Sequence, residues 1–343
     1  MEALAKLEKG YNHMKLINIK EPEYNDDQVK IKVKYTGICG SDIHTFKGEY
    51  KNPTVPVVLG HEFSGEVVAV GKNVEGIKVG DYVTSETTYS ICGTCEYCKT
   101  GDYNLCPSRK GLGTQVNGSF AEYVVARGKS VHVLPKEVDL LSAALTEPLA
   151  CTVHAAMEKV KINYNEKVLV FGPGPIGLMT AQVAKANGAF VIIAGIDKDS
   201  NRLEVAKKIG IDEAINLQQE NLEEAVNKLT NGYGVDKVFE CSGSIQALNS
   251  GLNLLRKKGA LVQIGLFAKS LNELNEEKVI QKEITYIGSR SQKPSSWDKA
   301  LRLMAEHKVD VKCLVSDIYK LNDWEKAFDK VMKGEGIKVV IES

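Results

Sequence analysis

Four cysteines, Cys92, Cys95, Cys98 and Cys106, stand at the spacing C-x2-C-x2-C-x7-C in one short polar stretch, and they are half of the eight in the chain. Four thiolates so close in sequence can enclose one tetrahedral Zn2+, with Zn–S bonds of about 2.3 Å and no position left open for a substrate. Such a closed site is a structural staple. The competing reading, a pair of disulfides, requires an oxidising compartment. Residues 1–12 carry charges throughout and contain no apolar signal segment. The spacing therefore predicts a structural zinc in a reduced, cytoplasmic setting.

A second set of groups lies upstream, in Cys39-Gly-Ser-Asp-Ile-His44 and Gly60-His61-Glu62. Singly, Cys39 reads as a small buried side chain and His61 as a satisfied loop histidine. Together they supply thiolate, imidazole and carboxylate, the ligands of an open catalytic zinc site. Thr146-Glu147-Pro148-Leu149 brings a further carboxylate.

The third chemical feature is Gly172-Pro173-Gly174-Pro175-Ile176-Gly177, which follows the apolar run K-V-L-V-F and opens a helical pattern. Strand, glycine turn and helix in that order form the dinucleotide fingerprint. Gly172 permits the tight turn, Gly174 lets backbone approach a pyrophosphate, and Gly177 lets the helix pack on the strand. The helix N-terminus offers free N–H groups to the diphosphate. Asp197 follows the next strand, where a carboxylate would hold the adenosine ribose 2′-OH and repel a 2′-phosphate, favouring NAD over NADP. Asp199 competes for that role, and Lys198 and Arg202 could serve a phosphate.

These groups need two kinds of scaffold. The 343 residues suffice for about two domains. Lys plus Arg and Asp plus Glu are 44 each, which argues against nucleic acid or an anionic membrane as the main partner. No apolar stretch approaches the ~20 residues that span a bilayer. The first part reads as β-rich: 29–35 alternates V-K-I-K-V-K-Y, and 65–70 and 80–84 add short strands. Turn residues punctuate it at Asn25-Asp26-Asp27, Asn52-Pro53 and Asn73. From about Val153 strands and helices alternate: strands at 167–171, 190–196, 237–241 and 260–265, helices at 176–187, 200–209 and 244–256. That alternation predicts a parallel, helix-covered sheet. After Gly288 mixed short elements are expected.

Six ordered motifs, T-G-I-C-G-S-D-I-H, V-L-G-H-E-F-S-G-E-V, V-G-D-Y-V, the four-cysteine stretch, T-E-P-L and G-P-G-P-I-G, span nearly the whole chain. The chain resembles the zinc-dependent medium-chain dehydrogenases of the alcohol dehydrogenase superfamily, and most of all their sorbitol (polyol) and threonine dehydrogenase branch. The resemblance implies an α/β protein: a GroES-like β-rich catalytic domain over 1–152 and 289–343, with a structural zinc lobe near 88–108. A Rossmann doubly wound parallel sheet over 153–288 would interrupt it, with the active site in the cleft between the domains. It also implies one catalytic and one structural Zn2+ per chain, NAD, a homo-oligomer (tetramer or dimer) and a small-molecule alcohol substrate.

Residue by residue, the resemblance makes Cys39 and His61 zinc ligands, with Glu62 a ligand or a carboxylate that positions one. Glu147 falls where the polyol branch has a carboxylate that meets the zinc directly or through water; Cys151 is its rival. Ser41 and His44 would relay the released proton, although Ser41 and Asp42 also read as a helix N-cap. Gly265 and Leu266 would line the cofactor, as would Ser289, and Arg290 would approach the substrate. The expected activity is hydride transfer from a secondary alcohol, a polyol or sugar alcohol, to NAD+. L-threonine, 2,3-butanediol, sugar-alcohol phosphates and aldonates are the alternatives. A non-catalytic protein that binds NAD and zinc is the alternative of another class.

Overall fold

The alternating stretch becomes the strand Gln28–Gly37, longer at both ends than its apolar pattern. Val29, Ile31 and Val33 turn into a core shared with Phe63, Val67, Val83, Leu112 and Val124. It is an interior strand of a seven-stranded sheet, antiparallel to Glu62–Val70, to Tyr123–Arg127 and to the C-terminal strand Lys338–Glu342. Register sets Glu62 beside Gly37 on one side and Val340 beside it on the other. Backbone pairing alone thus gathers three distant parts of the chain at the end of one strand. A separate sheet of Met14–Asn18, Glu2–Lys6 and Val57–Val58 covers a second core, around Phe46, Phe120, Trp324 and Phe328. This computed structural model describes residues 1–50 and 53–343, so Asn52 of the expected Asn52-Pro53 turn lies outside the described residues.

These β-rich elements form one compact unit, Met1–Ala150 with Gln292–Ala305 and Val311–Ser343. Cys151–Ser291 with Glu306–Asp310 forms a second. Beyond Gly288 the chain carries more than short elements, since Pro294–Ala305 and Trp324–Met332 are full helices with buried faces around Trp297 and Phe328.

The second unit holds a six-stranded sheet, parallel throughout. In chain order its strands are Lys167–Phe171, Phe190–Gly195, Glu213–Asn216, Val235–Glu240, Leu255–Gln263 and Thr285–Gly288. Their spatial order is third, second, first, fourth, fifth, sixth, the doubly wound arrangement that reverses between the first and fourth strands. Continuous apolar strands suit it, because helices cover both faces; Leu169, Phe171, Ile192, Val238 and Leu261 are buried in one such core. The helix expected at 244–256 is shorter, Ile245–Leu254, with Ser244 capping it by accepting the Ala247 N–H. Leu255 turns extended, so Arg256 belongs to the following strand. No helix of the described residues is long and apolar enough to cross a membrane.

Candidate active site

The strand Gln28–Gly37 ends two residues before Cys39, which is the N-cap of the helix Gly40–Lys47. The capping box is closed by Asp42, whose Oδ2 accepts the Cys39 N–H at 2.9 Å. The cap is therefore Cys39, and Ser41 sits inside the first turn, where its carbonyl accepts the Thr45 hydroxyl. Glu62 opens the antiparallel neighbour, Glu62–Val70, and His61 immediately precedes it. One donor atom from each of Cys39, His61 and Glu62 lies within 4.8 Å of the others. Glu147, the second residue of the helix Thr146–Val153, is outside that trio but buried; its Oε1 accepts from Gln292 Nε2 at 3.1 Å. Cys151, one helical turn on, is half-buried and is also outside the trio. His44 is exposed, with Nδ1 2.7 Å from Glu49 Oε2.

Charge in this site is lopsided. Asp42, Glu62 and Glu147 are all buried, and the buried Lys338 ammonium faces them in ion-pair contact with Glu62 while donating to the Ile38 carbonyl at 2.9 Å. Gly37 makes that pairing possible, because a Cβ there would stand 2.3 Å from Glu62 Oε2 and 2.9 Å from Lys338 Cε. Burial pushes the Glu147 carboxyl up to about 7 and the Asp42 carboxyl above its ordinary range, with the Glu62 charge adding to both. Burial pulls His61 down, but Asp42, Cys39 and Glu147 outweigh it and hold the imidazole well above its usual value. His61 Nδ1 is buried without a hydrogen-bond partner among the described residues, 3.7 Å from Asp42 Oδ1.

Those observations fit a divalent cation. A buried imidazole beside a thiol and a carboxylate is a soft-to-borderline donor set suited to zinc. A dication would also offset the negative charge that burial makes costly at Asp42 and Glu147.

The four-cysteine stretch fits a closed site. All four sulfur atoms lie within 4.8 Å of one another, and no disulfide links cysteines among the described residues. Cys92 Sγ stands 3.6 Å from Cys106 Sγ and 3.9 Å from Cys98 Sγ, close to the ~3.8 Å edge of a tetrahedron with zinc–sulfur bonds of about 2.3 Å. Backbone N–H groups of Thr94 and Cys95 pull Cys92 down to about 6, as suits a thiolate, whereas desolvation pushes Cys98 up to about 12.

In the second unit, Gly172 turns the chain at φ +89 and Gly177 packs so close that a Cβ would lie 1.8 Å from the Gly172 carbonyl oxygen. Gly174 caps the helix Pro175–Ala186 with open space where a side chain would be, and Ile176 lies in its first turn. Asp197 is exposed just past the second strand, and its Oδ1 accepts from Asn216 at 2.7 Å and Gln219 at 2.9 Å. Asp199 is buried, accepting the Ile196 N–H and pairing with Arg202 at 3.3 Å. Gly265 and the exposed Leu266 follow the fifth strand. Ser289, whose N–H donates to the Gln263 carbonyl, and the exposed Arg290 follow the sixth.

The model of the alcohol dehydrogenase GroES-like domain family matches residues 25–136, and that of the zinc-binding dehydrogenase family matches 175–306. A D-arabitol-phosphate dehydrogenase of Enterococcus avium is 54% identical over 100% of this chain and 97% of its own length. A sorbitol dehydrogenase of Halalkalibacterium halodurans is 55% identical, covering 99% of each. The chain belongs to the zinc-dependent medium-chain alcohol dehydrogenase family. The crystal structure of galactitol-1-phosphate dehydrogenase from Escherichia coli matches it with a TM-score of 0.90 at 27% identity over 100% of both chains. The protein is thus a dehydrogenase acting on the CH–OH group of an alcohol or polyol.

Three groups in this dehydrogenase escape a reading by motif. Asp42 announces itself only as a cap residue, yet its second oxygen faces His61. Lys338 sits in I-K-V-V-I-E near the C-terminus, about 300 residues from the Ile38 carbonyl it binds. The one signal is a lysine that abuts the apolar run V-V-I of its strand. Gln292, which spans Glu147 and the Thr87 hydroxyl, has no sequence signal at all.

Proposed function

We propose that the protein is an NAD-dependent polyol dehydrogenase that oxidises a secondary hydroxyl of an open-chain sugar alcohol. The observation that carries this is the Cys39–His61–Glu62 trio, with the buried Glu147 carboxylate close enough to interact with the His61 charge. Cys39 and His61 hold the catalytic zinc, with Glu62 and Glu147 as its carboxylates, and Cys92, Cys95, Cys98 and Cys106 hold the structural one. When bound, zinc lowers the pKa of a substrate hydroxyl and NAD+ accepts the hydride. Asp42 orients His61, and Lys338 fixes Glu62. Ser41 takes up the released proton and His44 delivers it to solvent, a role that suits an exposed imidazole already leaning on Glu49. Gly172, Gly174, Ile176 and Gly177 cradle the pyrophosphate, while Gly265, Leu266 and Ser289 line the other half of the cofactor and Arg290 approaches the substrate. The protein works as a cytoplasmic homo-oligomer.

Asp197 is the ribose ligand in this reading, because Asp199 and Arg202 are occupied with each other. Asp197→Ser should raise the KM for NAD by about tenfold or more, the loss of a charged hydrogen bond, and improve turnover with NADP. Steady-state kinetics with both cofactors decide it; an unchanged preference would return the role to Asp199.

A polyol phosphate is the second reading, favoured by the name of the Enterococcus relative. NADH formation with sorbitol, xylitol, ribitol, D-arabitol and their phosphates, with L-threonine and 2,3-butanediol as controls, separates the two. Chelator-sensitive turnover of a free polyol supports the first. A strong preference for the phosphate moves the assignment to the second. Activity confined to threonine or butanediol overturns both.

A further inference from the structure

Glu240, the last residue of the strand Val235–Glu240, is fully buried, and none of the roles above uses it. Its Oε1 accepts the Ser242 N–H at 2.8 Å and the Ser242 hydroxyl; its Oε2 accepts the Gly243 N–H at 2.9 Å and Gln263 Nε2 at 2.6 Å. Two backbone N–H groups and the Gln263 amide N–H can only donate to it, and the Ser242 hydroxyl, which also accepts the Ser244 N–H, closes the set. Its backbone carbonyl accepts the N–H groups of Ile264 and Gly265, each at 2.9 Å. One residue therefore ties the turn after the fourth strand to the turn after the fifth. The fit is tight, since a Cβ on Gly265 would lie 2.4 Å from the Gly243 nitrogen and 2.8 Å from Glu240 Oε2.

Where the tie lies matters. In a doubly wound sheet the dinucleotide crosses the carboxyl ends of the strands at the reversal of strand order, here between the first and fourth strands. Asp197, past the second strand, marks the adenosine side. A dinucleotide bound that way would set its nicotinamide half over the fourth and fifth strands, at the two turns that Glu240 joins. The oxidised nicotinamide ring is cationic and the reduced ring neutral. A buried carboxylate beneath that half attracts only the oxidised form, through protein that screens it less than water does.

We propose that Glu240 is a positioning residue for the nicotinamide half of the cofactor, locking residues 241–244 to 264–266 and biasing the site toward NAD+ over NADH. This rests on the reading of the second unit as the site of NAD binding. It is tested by the dissociation constants of NAD+, NADH and ADP-ribose for the full chain and for Glu240→Gln and Glu240→Asp, with thermal melts alongside. Glu240→Gln keeps the size and removes the charge, so Kd for NAD+ should rise relative to Kd for NADH by about threefold or more. ADP-ribose, which lacks the ring, should bind as before. Glu240→Asp keeps the charge and shortens the reach, so both redox forms should weaken together with their ratio intact. Equal changes for NAD+ and NADH in Glu240→Gln would overturn the electrostatic role, and an indifferent Glu240→Asp would overturn the positioning role. If the wild-type protein binds ADP-ribose and both redox forms, either result counts against Glu240 alone. If it binds none of the three, the cofactor assignment fails and the proposal with it.

Discussion

Cys39→Ser should abolish turnover and leave the fold standing. The substitution removes the softest donor of the trio, and a serine hydroxyl is a poor zinc ligand at neutral pH. A metal that polarises the reacting oxygen is worth several kcal/mol of transition-state stabilisation, so kcat/KM should fall by about a thousandfold or more. The structural cost is small for a reason specific to this position. Cys39 is the N-cap of the helix Gly40–Lys47, and serine is among the preferred N-cap residues. Asp42 still accepts the N–H of residue 39, and the side chain is already partly exposed, so no cavity opens. Metal analysis should find one zinc fewer per chain, with the four-cysteine lobe still loaded and the melting temperature of the chelated protein within a few degrees of wild type. Activity within about tenfold of wild type would remove the thiolate from the mechanism.

The same residue shows what can be read from a chain and what cannot. Ligands that fall within one loop are legible because their chemistry depends on short spacing, as with Cys92 to Cys106 and the turn from Gly172 to Gly177. Asp197 and Asp199 look equivalent as letters. They separate only once the first is exposed on Asn216 and Gln219 and the second is buried against the Ile196 N–H. The parallel sheet was legible because its strands are continuous and apolar. The start of the strand Leu255–Gln263 was hidden by Arg256, Lys257 and Lys258, which are charged, and the chain kinks there through a left-handed Lys258 at φ +58. Lys338 was out of reach for a different reason. Its place beside Glu62 follows from two antiparallel pairings that both end at Gly37, and long-range register leaves no local mark.

Lys338→Met should therefore be the most destabilising single change in this site, and zinc should reverse much of it. Methionine matches the unbranched stem that fills the slot beside Gly37, so packing is nearly kept. What is lost is the ammonium facing three buried carboxylates. Its own shift shows the strength of that embrace: burial lowers it, yet Glu62, Cys39 and Glu147 together hold it above the ordinary lysine value. Removing one partner of a buried ion pair strands the other charge and costs about 3–5 kcal/mol. For a chain of this size the metal-free protein should melt roughly 4–7 °C lower. A dication held by Cys39, His61 and Glu62 supplies positive charge to the same carboxylates, so the gap between zinc-loaded and zinc-free melts should widen in the variant. The double variant Glu62→Gln with Lys338→Met removes both charges and should regain most of the loss in the metal-free state, though not the metal affinity. Paired melts of the wild type, the single and the double variant measure this directly. A double variant no more stable than Lys338→Met would mean that the lysine acts through packing, and that Glu62 is held by something other than charge.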